Sequence, residues 1–210
     1  MARPCSRSRP QARHRGTVRG RGGSARRCYG LLGQITEAVE RAEQAAAGSG
    51  ALNLMANHPR DVSYLSEAYL FANRLDEAET TGRRALELCR RPQHSWHEVD
   101  TLRILGEIYS RREPPAVREA EDSYCSALLQ AEELGMRPPL ARCHLGFGQL
   151  YQRTGKPRQA RGHLAAAASL LREMNLHSWL EQANATLAGD GHPSDLTRDA
   201  TTTDQPLRRI

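Results

Sequence analysis

The strongest constraint on this chain is an internal repeat. An apolar residue, a small one directly after it and a tyrosine three positions later recur as Leu65, Ser66, Tyr69, then Leu105, Gly106, Tyr109, then Phe147, Gly148, Tyr151, at spacings of 40 and 42 residues. Each block is followed by a second signature of Ala, a residue four on and Ala three further: Ala78, Gly82, Ala85; Ala120, Tyr124, Ala127; Ala160, Leu164, Ala167. The two signatures lie 13 residues apart in the first and last copies and 15 in the middle one, where Pro114 and Pro115 mark an insertion. Each copy is one supersecondary unit that cannot bury its apolar face alone, so the copies must stack.

The spacings within each copy suit a helical hairpin. Small residues at fixed points let two antiparallel helices approach, and bulky residues at i+3 and i+4 fill the gaps between hairpins. Punctuation supports this cutting: Gly155 then Pro157, and Gly135 then Pro138 and Pro139, place Gly just past a helix end and Pro in the next first turn. Asp76 and Glu77 near the start of one helix, and Arg90 and Arg91 near its end, complement the helix dipole. Helices are expected at about 32–47, 61–72, 75–91, 95–112, 115–134, 138–153, 157–174 and 177–188. Ala38, Ala42 and Ala45 keep the second-helix spacing and mark an earlier half-repeat, whose unpartnered apolar face predicts weak self-association.

Composition agrees. Only 5% of residues are aromatic, against the needs of a sandwich or barrel, and no apolar run of about 18 residues is present to span a membrane. The net charge of +6 is unevenly spread: residues 1–27 hold nine arginines and no acid, so the remainder is slightly acidic. Residues 1–27 read as a disordered Arg/Gly-rich arm, 28–188 as the repeat domain and 189–210 as a disordered polar tail. The short apolar stretch from Cys28 to Ile35 runs into Glu37 and Glu40, which is not a secretion signal and predicts a cytoplasmic protein. Five irregularly spaced cysteines fit reduced thiols, with Cys89, Cys125 and Cys143 expected in the core.

The signature residues resemble the tetratricopeptide repeat. Leu105, Gly106, Tyr109, Ala120, Tyr124 and Ala127 match its pattern, as do Phe147, Gly148, Tyr151, Ala160, Leu164 and Ala167. The first copy departs at Ser66 and Gly82, and the periods exceed the usual 34, as in long-helix variants. The segments 65–79, 102–115, 131–164 and 172–183 further resemble the C-terminal repeats of bacterial signalling proteins in which a nucleotide cyclase domain and an AAA-type ATPase precede the array. The cyclase and ATPase parts have no counterpart here, and a phosphate-binding G-x-x-x-x-G-K-[ST] loop is missing. The resemblance implies an all-α right-handed superhelix of about three repeats plus a half-repeat and a capping helix. It also implies a non-catalytic protein or peptide-binding role, as an adaptor or a truncated part of a larger regulator.

In such a superhelix the first helix of each hairpin lines the concave face. Counting from the bulky signature residue puts Ser63, Glu67, Leu70 and Phe71, then Arg103, Glu107, Ser110 and Arg111, then Leu145, Gln149, Gln152 and Arg153 on that face. Glu67, Phe71, Arg103, Glu107, Arg111, Gln149 and Arg153 are the candidate partner contacts. The alternative is that Arg103, Glu107 and Arg111, at i, i+4 and i+8, form a solvated charge ladder worth a few tenths of a kcal/mol per pair. Family members that clamp a carboxylate use Lys and Asn at two of these positions, which Arg103 and Glu107 do not reproduce.

Catalytic readings are thin. His94, His97 and Glu98 form H-x-x-H-E without a third ligand at a recognisable spacing, so no metal or cofactor is expected. Cys143 and His144 are adjacent and point about 100° apart on a helix, which keeps them from sharing a proton. Trp96 and Trp179 are expected to cap the array's edges. The Arg-Gly steps at 15–16, 19–20 and 21–23 could track nucleic-acid phosphates, but they lack interleaved aromatics for stacking. With one lysine against 29 arginines, the arm also reads as unselected text from a GC-rich genome.

Overall fold

A computed structural model describes residues 35–52, 57–89 and 95–189. The arm at 1–27, most of the tail, and Arg90, Arg91 and His94 lie outside the described residues. The described chain is all helical: α1 (Ile35–Ala51), α2 (His58–Phe71), α3 (Leu75–Cys89), α4 (Ser95–Arg111), α5 (Val117–Glu133), α6 (Arg137–Arg153), α7 (Pro157–Glu173) and α8 (His177–Gly189). Each helix packs on the next, and α2, α4 and α6 also touch in succession. The hairpins are α2–α3, α4–α5 and α6–α7, with α1 as the half-repeat and α8 closing the array.

Two boundaries differ from expectation. Helix α2 starts at His58, because Pro59 sits in its first turn, where a missing N–H costs nothing. Helix α1 runs on to Ala51, where Gly50 lets it approach the His58 ring; a Cβ there would stand 3.1 Å from that ring. The Ser49 hydroxyl lies 3.0 Å from His58 Nδ1 across the same junction.

The repeat signature works as matched small and large residues between paired helices. At Gly106 a Cβ would meet the Tyr124 ring at 2.7 Å, and at Gly148 it would collide with Leu164. The first copy inverts the match. Ser66 takes the small position of the first helix and donates its hydroxyl to the Ala78 carbonyl at 2.7 Å, while Gly82 replaces the bulky residue. A Cβ on Gly82 would meet Leu105 at 2.8 Å and Ser66 Oγ at 2.9 Å, so Leu105 fills the space that a large side chain takes elsewhere. Ala78, Ala85, Ala120, Ala127, Ala160 and Ala167 are all fully buried, and with Leu105, Tyr109, Phe147, Tyr151 and Leu164 they form the core; Leu65 and Tyr69 are half-buried.

Four turns share one geometry. Asn73, Gly135, Gly155 and Asn175 adopt positive φ, and the next residue's N–H closes the helix end onto a carbonyl: Arg74 to Tyr69, Met136 to Ala131, Lys156 to Tyr151, Leu176 to Leu171. Glycine and asparagine are the residues that tolerate this left-handed position best.

Three expectations are corrected. Cys125 is exposed, not core, because it faces outward on α5, whose buried stripe is Ala120, Tyr124, Ala127 and Ala131. Trp96 does not seal an edge: it is 48% exposed at the start of α4. The half-repeat does not present an apolar face among the described residues. Its single apolar stripe, Ala38, Val39, Ala42 and Ala46, is covered by α2 and α3, and Thr36, Glu40, Arg41 and Gln44 face out.

Candidate functional site on the first-helix face

One polar network ties the first helices of all three hairpins together. Glu67 on α2 accepts from Arg103 Nη2 of α4 at 2.8 Å and from Arg142 Nη2 of α6 at 3.0 Å. Arg103 also reaches Asp100 at 3.4 Å and Glu107 at 3.2 Å on its own helix, and Glu107 accepts from Arg111 at 2.7 Å. Arg103 and Glu67 are only 1% and 2% exposed. A guanidinium withdrawn from water requires carboxylates on several of its donors, and Arg103 has three. The reading of Arg103, Glu107 and Arg111 as a solvated ladder is therefore corrected: its first member is interior and bonds across helices.

Beside this network lies a cavity of about 110 Å³. Phe71 of α2 and Arg103, Glu107 and Arg111 of α4 form one side, and Arg142, Leu145, Gly146 and Gln149 of α6 the other. Trp179 and Gln182 of α8 close its end, with Arg142 stacked over the Trp179 ring at 4.8 Å.

Tyr124 reaches this cavity from the second-helix layer. Its ring passes between α4 and α6 because Gly106 and Gly146 leave the space; a Cβ at Gly146 would stand 2.5 Å from the Tyr124 Cζ and hydroxyl. The ring packs against Phe147 at 5.1 Å, and the side chain is 1% exposed. The hydroxyl is enclosed, with almost no accessible surface. Burial pushes the Tyr124 pKa far above its ordinary value, so the group is a neutral donor at every physiological pH. The Ser110 side chain, hydrogen-bonded to the phenol, acts in the opposite direction; it gives its own proton to the Glu107 carbonyl at 2.9 Å, which leaves its oxygen free to accept.

Of the residues placed on this face from sequence, Phe71, Arg103, Glu107, Arg111, Leu145 and Gln149 meet at the cavity. Glu67 is not a lining residue but holds Arg103 in place, and Arg153 is exposed, donating to the Ser110 carbonyl. Sequence reasoning missed Arg142, Gly146 and Gln182, took Tyr124 as purely structural and took Trp179 as an end cap. The glycines at 146 and 148 flanking Phe147 were the available signal: one is the repeat's small residue, and the other has no role in the repeat.

Burial pushes the Cys143 thiol up to about 12 and the Cys89 thiol up to about 11, which keeps both protonated. His144 Nδ1 and His163 Nδ1 lie 3.0 Å apart, and burial lowers both pKa values. His97 is buried at 4% exposure. Among the described residues no three His, Cys, Asp or Glu side chains converge as metal ligands, and no helix is long and apolar enough to cross a membrane.

No family model matches the sequence, and no curated protein sequence does either. Solved structures match the fold. BtubC (BKLC) from P. vanneervenii superposes with a TM-score of 0.57 at 19% identity over 73% of this chain, which spans 63% of BtubC. Nearly identical TPR-like repeats of a kinesin light chain-like protein from Podosopora anserina, and a point variant of them, each give a TM-score of 0.57 at 18% identity, covering 80% of this chain and 82% of theirs. The chain has the fold of a TPR-like helical repeat solenoid.

Proposed function

We propose that this chain is a non-catalytic interaction module that holds a segment of a partner protein along its first-helix face. The observation that carries this reading is the cavity between α4, α6 and α8, a concave polar site whose walls are braced by the Glu67–Arg103–Arg142 network. The TPR-like fold is a scaffold that suits such binding. The sequence likeness to repeats of bacterial cyclase and ATPase regulators supports a cytoplasmic signalling domain as the partner.

Affinity capture with the full chain tests this. Arg111→Glu and Gln182→Arg alter the cavity rim without touching the buried pair, and Arg161→Glu on the outside of α7 is the control. A partner retained by wild type and Arg161→Glu and lost by both rim variants is expected; one retained by all four overturns the reading.

A further inference from the structure

The junctions between successive second helices are not filled alike. The tyrosine of each repeat is hydrogen-bonded to a glutamate on the preceding second helix: Tyr69 donates to Glu43 at 2.8 Å and Tyr109 to Glu79 at 3.4 Å, and Glu121 is the partner of Tyr151. These pairs fix the register of α1, where Ala42, Ala46 and Ser49 are buried as Ala78, Gly82 and Ala85 are in α3. The half-repeat signature therefore lies one helical turn beyond Ala38, Ala42 and Ala45, of which Ala45 is only half-buried. In that register Gly50 stands where α3 has Leu86 and α5 has Leu128, both packed against the main core. Ala47 stands where α3 has Arg83, which is paired with Glu79.

The result is an open hollow between α1 and α3, floored by α2. Its two adjoining parts, about 330 and 450 Å³, share Ala46, Ala47, His58 and Arg84. Val62 and Leu65 of α2 and Leu88 of α3 make the deep lining apolar. The His58 ring takes some of the space beside Gly50, 3.1 Å from where a Cβ would stand, and does not fill the rest. Either part falls within the roughly 300–1,000 Å³ typical of ligand sites, which the first-helix cavity of about 110 Å³ does not reach. Of the two charged side chains at the rim, Glu43 is held by the Tyr69 hydroxyl. Arg84, exposed on α3, enters no ion pair among the described residues.

We propose that this hollow docks a partner segment that inserts one aliphatic side chain, in the place Leu86 and Leu128 hold at the later junctions, and sets an Asp or Glu carboxylate against Arg84. The site shares no residue with the cavity between α4, α6 and α8 and does not depend on the binding role given to that cavity. Two observations point to this occupant. The repeat seats a leucine at this position in α3 and α5, so the junction's own packing defines the shape that fits. A guanidinium at the edge of an apolar floor then selects an acidic neighbour, which fixes orientation while the aliphatic anchor supplies the burial.

Selection of a displayed random twelve-residue peptide library on the full chain tests this. Ala47→Leu fills the hollow from within, Arg84→Glu reverses its rim, and Arg111→Glu is the control on the first-helix face. Ala47 and Arg84 are both exposed, so both variants keep their helicity. Expected are peptides with Leu, Ile or Met and an Asp or Glu at a fixed spacing, bound at least tenfold more weakly by Ala47→Leu and by Arg84→Glu and unchanged by Arg111→Glu. Enriched peptides of which none responds to Ala47→Leu and Arg84→Glu, or whose responding members lack the acidic residue, overturn the proposal, as does failure to enrich any. Dimerisation of the wild type that Ala47→Leu abolishes in sedimentation overturns it in favour of a second copy of the chain. Peptide binding that emerges only with Leu54→Ser and Met55→Ser overturns it in favour of the chain's own segment 53–56.

Discussion

Glu67 and Arg103 lie 36 residues apart in sequence and form an ion pair at 2.8 Å with almost no exposure to solvent. Glu67 is also the acceptor for Arg142, so one carboxylate oxygen joins the first helices of three hairpins. Contacts between neighbouring repeats carry much of the stability of a solenoid, and here a polar contact adds to the apolar ones.

Removing one side of this pair strands buried charge. Glu67→Gln keeps an acceptor oxygen but removes the buried negative charge shared by Arg103 and Arg142, and is expected to cost about 3 kcal/mol. Replacing Arg103 by Met in the same chain should recover part of that loss. Urea denaturation of the two single variants and the double checks it; additive losses would show that the pair is not coupled.

The slot for Tyr124 makes a prediction whose sign reverses with background. Gly146→Ala places a methyl 2.5 Å from the Tyr124 hydroxyl, and overpacking of this kind costs about 1–3 kcal/mol. With Tyr124→Leu the obstruction is gone, and the same substitution should gain up to about 1 kcal/mol from helix propensity. Tyr124→Phe alone should change stability by no more than about 1 kcal/mol, because the cost of burying the hydroxyl and its contact with Ser110 offset one another. Denaturation midpoints of these chains measure all three effects.

The repeat itself was legible because it is local: Leu105, Gly106 and Tyr109 lie on one helix, and their counterparts recur at a fixed distance. Asn73 and Asn175 were harder, since asparagine takes positive φ only in context, whereas Gly135 and Gly155 announced their turns. The burial of Arg103 could not be read at all. Its spacing from Glu107 and Arg111 is that of a surface ladder, and what buries it is Glu67 and Arg142, on two other helices. Tyr124 matched the repeat so well that its hydroxyl, the atom the repeat does not need, drew no notice.

Stability should fall in mild acid. Burial lowers the pKa of His144 and His163 in the folded chain, with each other's proximity a further cause at His144 and Glu132 opposing it there. The unfolded chain therefore takes up protons first, near the ordinary value of about 6.5. The stabilisation is complete above that pH and is lost as pH falls through it toward the folded values. The Tm should drop between about pH 7.5 and 5.5, and His163→Gln should flatten the curve; parallel curves for the two chains would exclude the histidine pair as the cause.

If partners engage the face formed by α2, α4 and α6 with α8, a probe on that face must meet them. Site-specific photocrosslinking in the native cell tests this most directly, with a benzophenone amino acid placed either at Phe71, a cavity-lining aromatic that it replaces conservatively, or at Arg161 on the outer side of α7. The expected result is a discrete adduct from position 71 that position 161 does not give. An adduct from position 161 alone, or equal adducts from both, would contradict it.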